Sequence, residues 1–170
     1  RRQILLAQVL PLLPMALVGL VTVFALVQVG RTAREIRTEG LNRIDLTERA
    51  MSLLEEEEAL LSEYHEGGEK ETHRSAIERS EALREIVDEI EAVSGVGSDL
   101  SVDLYAFEEA AGLSDSNFEP EEARERAQSL QRSLADLKEI FRYDVEVSME
   151  AVARSGRITA VGVVLAVGFL

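Results

Sequence analysis

The feature that most constrains this fold is a stretch of 26 uncharged residues, ILLAQVLPLLPMALVGLVTVFALVQV, which runs from Ile4 to Val29. A helix needs about 20 apolar residues to cross a bilayer, and this run is apolar on every face. We therefore predict a transmembrane helix over residues 3–30. The alternative is a cleaved signal peptide that begins with Arg1 and Arg2. The run exceeds the usual apolar core of about 7–15 residues, however, and no small-x-small cleavage site precedes Gly30.

A second apolar run closes the sequence. It extends from Ile158 to Leu170, and Thr159 is its single polar residue. This run is too short to span a bilayer, since a spanning helix needs about 20 residues. We expect residues 158–170 to be the start of a second transmembrane helix, and the sequence to be an excerpt of a longer chain truncated in that helix.

The charged residues lie between the two apolar runs. Residues 31–157 hold 32 acidic and 16 of the 18 basic residues, which gives this block a formal charge of −16. A block this acidic repels nucleic acid and anionic headgroups, so nucleic acid is excluded as a partner. The absence of cysteine excludes a disulfide framework and thiolate chemistry.

Apolar residues of the acidic block recur at helical spacing in four runs. These runs cover about 31–66, 69–93, 100–113 and 121–157. Paired glycines at Gly67–Gly68 end the first run, and Asp99 or Ser98 can cap the third helix. The fourth run carries the most regular stripe. Its members are Leu130, Leu134, Leu137, Phe141, Val145, Met149 and Val152.

The lengths of the runs predict the topology. The first and fourth are nearly equal, and each rises roughly 55 Å at about 1.5 Å per residue. We predict an all-α fold, an antiparallel up-down-up-down four-helix bundle whose long first and last helices are continuous with two transmembrane helices. The shorter middle helices cover only part of the long ones. The uncovered apolar stripes predict a symmetric homodimer.

The side of the membrane on which the acidic block lies follows less directly from the residues. Five arginines flank the acidic block on its membrane sides, and the positive-inside rule read literally would place the block in the cytoplasm. They are Arg31, Arg34, Arg37, Arg154 and Arg157. The rule weakens for loops longer than about 60 residues. The residues alone leave both orientations open.

Two acidic or histidine-rich stretches suggest metal chemistry. Glu55–Glu58 point in different directions on a helix, so we interpret them as a solvated surface. His65 and His73 are candidate ligands for a divalent cation, since carboxylates surround both. Their spacing matches no established metal motif, and the alternative is that both are exposed residues at the tip of the bundle.

The candidate ligand-binding residues are Arg142 and Tyr143, which interrupt the stripe of the fourth helix. An arginine between helices can hold a ligand carboxylate bidentately. The alternative is an intrahelical pair of Arg142 with Glu139 or Glu146. The sequence contains no glycine-rich phosphate loop, cysteine nucleophile or recognisable triad. We therefore expect no catalytic residue, no cofactor and no enzymatic activity within these residues.

The arrangement resembles the extracytoplasmic helical input modules of bacterial chemoreceptors and of CHASE-type sensor histidine kinases. The resemblance rests on the apolar run of residues 4–29, the helical acidic block and the second apolar run ITAVGVVLAVGFL. The stretch LTERAMSLLEEEEALLSEY is similar to the first-helix segment of the CHASE-type bundle. No motif chooses between the two families.

The resemblance implies a sensor in the inner membrane. Its bundle would lie on the periplasmic side and receive a small-molecule or protein ligand. The fourth helix would pass a small displacement to a cytoplasmic relay and output domain. Two alternatives remain: a structural membrane-anchored helical hairpin or scaffold without a ligand, and an acidic hairpin on the cytoplasmic side.

Overall fold

The computed structural model of the chain describes residues 12–67, 70–94, 99–113 and 119–168. These residues form four α-helices, and no strand occurs among them, which confirms the predicted all-α class. The helices are α1 (Leu12–His65), α2 (Lys70–Ser94), α3 (Leu100–Ala110) and α4 (Pro120–Gly168). Our predictions for residues 3–11, Gly68, Ser98 and the last two residues lie outside the described part.

Glycines mark two of the helix ends. The backbone of Gly67 has φ of 111°, and that of Gly112 has φ of 69°. Residues with a Cβ rarely adopt these positive φ angles, so glycine is the favoured residue at both positions. At the second end, the amide of Leu113 donates to the carbonyl of Glu108 at 3.1 Å, which satisfies a carbonyl at the end of α3.

The start of α3 differs from the sequence prediction. Asp99 stands at the N-cap position but makes no side-chain capping hydrogen bond. Glu91 of α2 accepts from the backbone amide of Ser101 at 3.0 Å and from the Ser101 hydroxyl at 2.5 Å. A carboxylate from the preceding helix thus satisfies an amide at this helix start, a role that local sequence rules assign to the cap residue.

The chain divides into two compact units, and residues 40–143 form the second. All four helices contribute to its apolar core. The largest fully buried apolar side chains include Leu54, Leu83, Phe107, Leu134 and Phe141. Within the stripe predicted for α4, Leu130 to Phe141 are buried as the helical spacing indicated. This unit is a helical bundle.

The first unit contains residues 1–39 and 144–170. Its described parts of α1 and α4 come close together at Val29 and Gly156. A Cβ added at Gly156 would lie 3.6 Å from Cγ1 of Val29. The large apolar side chains of α1 in this unit are exposed, with Leu20 at 73% and Phe24 at 64%. This part of α1 is therefore apolar, yet its large side chains are not buried in an apolar core.

Candidate functional site

A buried carboxyl group in the core of the bundle is the main candidate site. Glu57 of α1 is 0% exposed, and neither of its carboxyl oxygens has a hydrogen-bond partner. The interpretation of Glu55–Glu58 as a solvated surface was therefore wrong for Glu57. Glu55 and Glu56 are exposed, as that interpretation required.

The helical repeat explains why this glutamate is buried. From Thr47 to Leu61 the buried residues of α1 are spaced three or four apart, and Glu57 occupies the position between Leu54 and Leu61. These three residues lie on one face of the helix. The signal was present in the sequence, since position 57 continues the apolar stripe, but the charge of the residue directed the interpretation to the surface.

A second buried carboxyl group lies on α3, and this one is fully partnered. Glu108 is 4% exposed. Its Oε1 accepts a hydrogen bond from the Ser80 hydroxyl at 2.5 Å, and its Oε2 accepts from the Arg84 guanidinium at 2.5 Å. Both donors come from α2. Hydrogen bonds and an opposite charge are what a buried carboxylate requires. Sequence reasoning missed Glu108.

The surroundings of the two carboxyl groups produce different chemistry. Burial and, to a smaller extent, the negative charge of Glu108 raise the pKa of Glu57 from its ordinary value of 4.5, the charge of Arg84 lowers it, and together these effects place it at about 8. The arginine already forms an ion pair with Glu108. Glu57 is therefore mainly protonated at neutral pH, and this group can take up and release a proton near the middle of the physiological range.

An open groove on the same unit is a second candidate. Its volume is about 660 Å³, and residues of α1, α3 and α4 line it. Leu61 and Phe107 supply apolar surface, while Glu58 and Arg124 supply opposite charges. Partial burial raises the pKa of Glu58, and the nearby Arg124 opposes this effect. The groove thus combines apolar surface with charges of both signs.

The histidines predicted as metal candidates lie near each other at one end of the bundle. The ring of Tyr64 lies 5.6 Å from that of His65 and 4.8 Å from that of His73, between centroids. In the described part of the chain, no group of three or more histidine, aspartate or glutamate side chains is arranged to hold a metal ion. His65 also lines the groove.

The residues predicted to bind a ligand lie on the surface of α4. Tyr143 is 68% exposed. The Arg142 guanidinium donates to the Glu139 carboxylate at 3.2 Å, which is the intrahelical pair given as the alternative. Neither residue lines the open groove between α1, α3 and α4.

The described residues of α4 in the first unit present an uncovered apolar face. Val147 is 45% exposed, Ile158 is 67% and Val161 is 59%. Val147 and Ile158 also line a shallow depression in which all the lining residues belong to α4. No second helix of the described chain contributes to it.

Comparisons of the chain with protein-family models, with curated proteins and with solved structures find no match.

Proposed function

We propose that this chain is the sensor region of a membrane-bound signal-transduction receptor. The acidic bundle receives a stimulus on the extracytoplasmic side of the inner membrane. It passes that stimulus through α4 and a second membrane helix to a cytoplasmic output domain of the histidine-kinase or methyl-accepting type. The observation that carries the proposal is the exposed apolar part of α1, followed in the same chain by a charged helical bundle.

The exposed apolar segment supports membrane anchoring. By length and composition α1 can cross a membrane, and none of its most apolar part is buried. Leu17, Leu20 and Phe24 are each more than 60% exposed. Water would make such exposure unfavourable by about 25 cal/mol per Å² of apolar surface, whereas hydrocarbon would not.

A signal sequence near the N-terminus can also form a long apolar helix. A membrane anchor and a cleaved signal sequence predict different masses for the mature protein. A membrane anchor stays attached when the full chain is expressed in a bacterium, and intact-mass spectrometry then gives the complete chain. A mature protein that contains only the acidic block would show that the N-terminal apolar segment is a cleaved signal peptide and not a membrane anchor.

Polar contacts support an antiparallel arrangement of the long helices. Glu48 of α1 pairs with Lys138 of α4 at 2.8 Å, and Glu55 of α1 accepts from Gln131 of α4 at 3.3 Å. From Glu48 to Glu55 the residue number rises along α1, while that of the partner on α4 falls from Lys138 to Gln131. This is the register that an up-down bundle requires.

The proposed mechanism is a shift of α4 between two packings of the bundle. A stimulus acts only if it favours one packing over the other. Small helix displacements of about 1–2 Å are an established way in which helical interfaces switch. The groove between α1, α3 and α4 is where we place a small-molecule or peptide ligand, since its lining combines an apolar surface with the charges of Glu58 and Arg124.

A chimeric receptor tests the function. The full chain is extended after Leu170 by enough apolar residues to complete a membrane helix, then joined to a relay helix pair and a histidine-kinase domain, and autophosphorylation is measured in membrane vesicles. Phe107→Ala, which alters the core beside the groove, is expected to change the rate. Tyr105→Ala, on the exposed face of the same helix, is expected to leave it unchanged.

The same experiment separates the receptor from its alternatives. A passive scaffold or hairpin has no output to alter, so both variants would then give the rate of the unmodified chimera. That outcome would contradict the proposed function and favour the structural hairpin.

A further inference from the structure

The starting point is the unequal treatment of neighbouring glutamates on α1. Glu56 forms a surface ion pair with Arg79 at 3.3 Å, and Glu55 accepts from Gln131. Glu57 lies between Glu56 and Glu58 in sequence, yet it is wholly buried, and its two oxygens have no partner. No step of the proposed mechanism uses this group.

An ionised carboxylate in this position would be unfavourable. Removing a charge from water without hydrogen bonds costs far more than burying a neutral group, so such residues take up a proton. The charged groups that act on Glu57 are Glu108 of α3 and Arg84 of α2. The first is negative and the second is already bound to it.

Two basic residues of α4 act on other carboxylates of α1. Lys138 binds Glu48, and Arg124 acts on Glu58. Glu55, Glu56 and Glu58 do not supply a counter-charge to Glu57, since they are acidic as well. A proton is thus the species that balances Glu57.

We propose that Glu57 is a proton-binding site of the bundle, and that loss of its proton in the neutral to mildly alkaline range weakens the packing of α1 against α2 and α3. The neutral carboxyl group is compatible with the apolar core, whereas the anion faces Glu108 with no donor of its own. The site takes a proton as its ligand, and its occupancy changes with pH.

The direction of the effect follows from linkage. The pKa of Glu57 is about 8 in the folded chain and near its ordinary value of 4.5 in the unfolded chain. Folding therefore takes up a proton between these values. The stabilising effect is complete below about pH 4.5 and is lost as the pH rises to about 8. Across this window the unfolding equilibrium constant increases about tenfold per pH unit from this group alone.

If the proposed sensor function holds, external pH becomes a stimulus that the bundle can report, and this extension rests on that function. Proton binding itself does not. It is measured on the purified full chain in detergent micelles, without any output domain, so a failure of the receptor proposal leaves the proton-binding result unaffected.

Infrared titration detects the proton directly. The wild-type chain is expected to keep the carbonyl band of a protonated carboxyl group above pH 6 and to lose it near pH 8. Glu55→Gln, the exposed control, is expected to behave like wild type, and Glu57→Gln to lack the band. A wild-type chain without such a band above pH 6, or a band that persists in Glu57→Gln, would overturn the proposal.

Denaturant unfolding between about pH 5 and pH 8 gives an independent result. The rise in the unfolding equilibrium constant is expected to be smaller in Glu57→Gln by about tenfold per pH unit, relative to wild type and Glu55→Gln. Equal pH dependence in all three chains would contradict the proposal. Glu57→Leu, which also lacks the titrating group, serves if the buried amide prevents folding.

Discussion

At the scale of single residues, the bundle contains two buried carboxyl groups, one with hydrogen-bond partners and one without. Glu108 is 4% exposed and is held by a hydroxyl and a guanidinium, so its charge is satisfied inside the protein. Glu57 has no donor and keeps its proton instead. The same side chain therefore stabilises one part of the core as an anion and fits another part as a neutral acid.

Removal of the Arg84 side chain tests the partnered carboxyl group. Arg84→Met leaves Glu108 with the Ser80 hydroxyl as its donor from α2, and we expect the free energy of unfolding to fall by about 1–3 kcal/mol. Arg74→Met is the matched control, since Arg74 is 81% exposed and pairs with Glu78 on the same helix. Its effect should stay within about 0.5 kcal/mol. Urea unfolding measures both, and equal effects would show that the buried ion pair contributes nothing.

The pair of Glu48 and Lys138 predicts a pH dependence of the opposite sign to that of Glu57. The Lys138 hydrogen bond and charge lower the pKa of Glu48, while slight desolvation opposes them. The resulting stabilisation is present above the ordinary pKa of 4.5 and is lost as the pH falls below it. Lys138→Met should therefore be less stable than wild type at pH 7, and this difference should shrink as the pH falls below 4.5. A difference that persists at low pH would contradict this assignment.

At the scale of helices, spacing predicted more than polarity did. Leu100, Leu104 and Phe107 recur at helical spacing in the third run, and all three are buried. Glu57 falls on the buried face of α1 by the same spacing, but its charge argued for the surface. Whether a charged side chain at such a position enters the core depends on which helices pack against it. A single helix pattern does not contain that information.

Truncation of the largest core side chain of α3 tests the role of that helix. Phe107 is 1% exposed, and Phe107→Ala should reduce the free energy of unfolding by about 3–5 kcal/mol because it removes apolar contacts and leaves a cavity. Tyr105 is 61% exposed on the other face, and Tyr105→Ala should change it by less than about 0.5 kcal/mol. Denaturant unfolding of the full chain measures both, and a small loss for Phe107→Ala would place α3 outside the cooperative core.

At the scale of the whole molecule, the division of the chain follows the charge. The bundle lies within the acidic block, whereas the exposed Leu20 and Phe24 of α1 and the uncovered apolar face of α4 belong to the other unit. The all-α class and the number of helices could be predicted, because helical periodicity and helix breaks are local. The ligand could not, since it depends on a surface that periodicity does not specify.

The uncovered face of α4 leads us to expect a symmetric homodimer. The chain contains no cysteine, so a single introduced cysteine reports contact between two copies without background. Val147→Cys, on this face, should form a disulfide-linked dimer much faster than the matched control Glu146→Cys on the neighbouring face. Oxidative cross-linking of the full chain in membranes measures the rates, and equal rates would argue against a dimer through this face.

The central claim, that the acidic bundle receives its stimulus outside the cytoplasm, is tested most directly by labelling one exposed residue of α2. Glu85→Cys in the full chain is treated with a membrane-impermeant maleimide in intact spheroplasts and, separately, after lysis. The cysteine-free chain provides the blank. We predict equal labelling before and after lysis. Labelling that appears only after lysis would place the bundle in the cytoplasm and contradict the account.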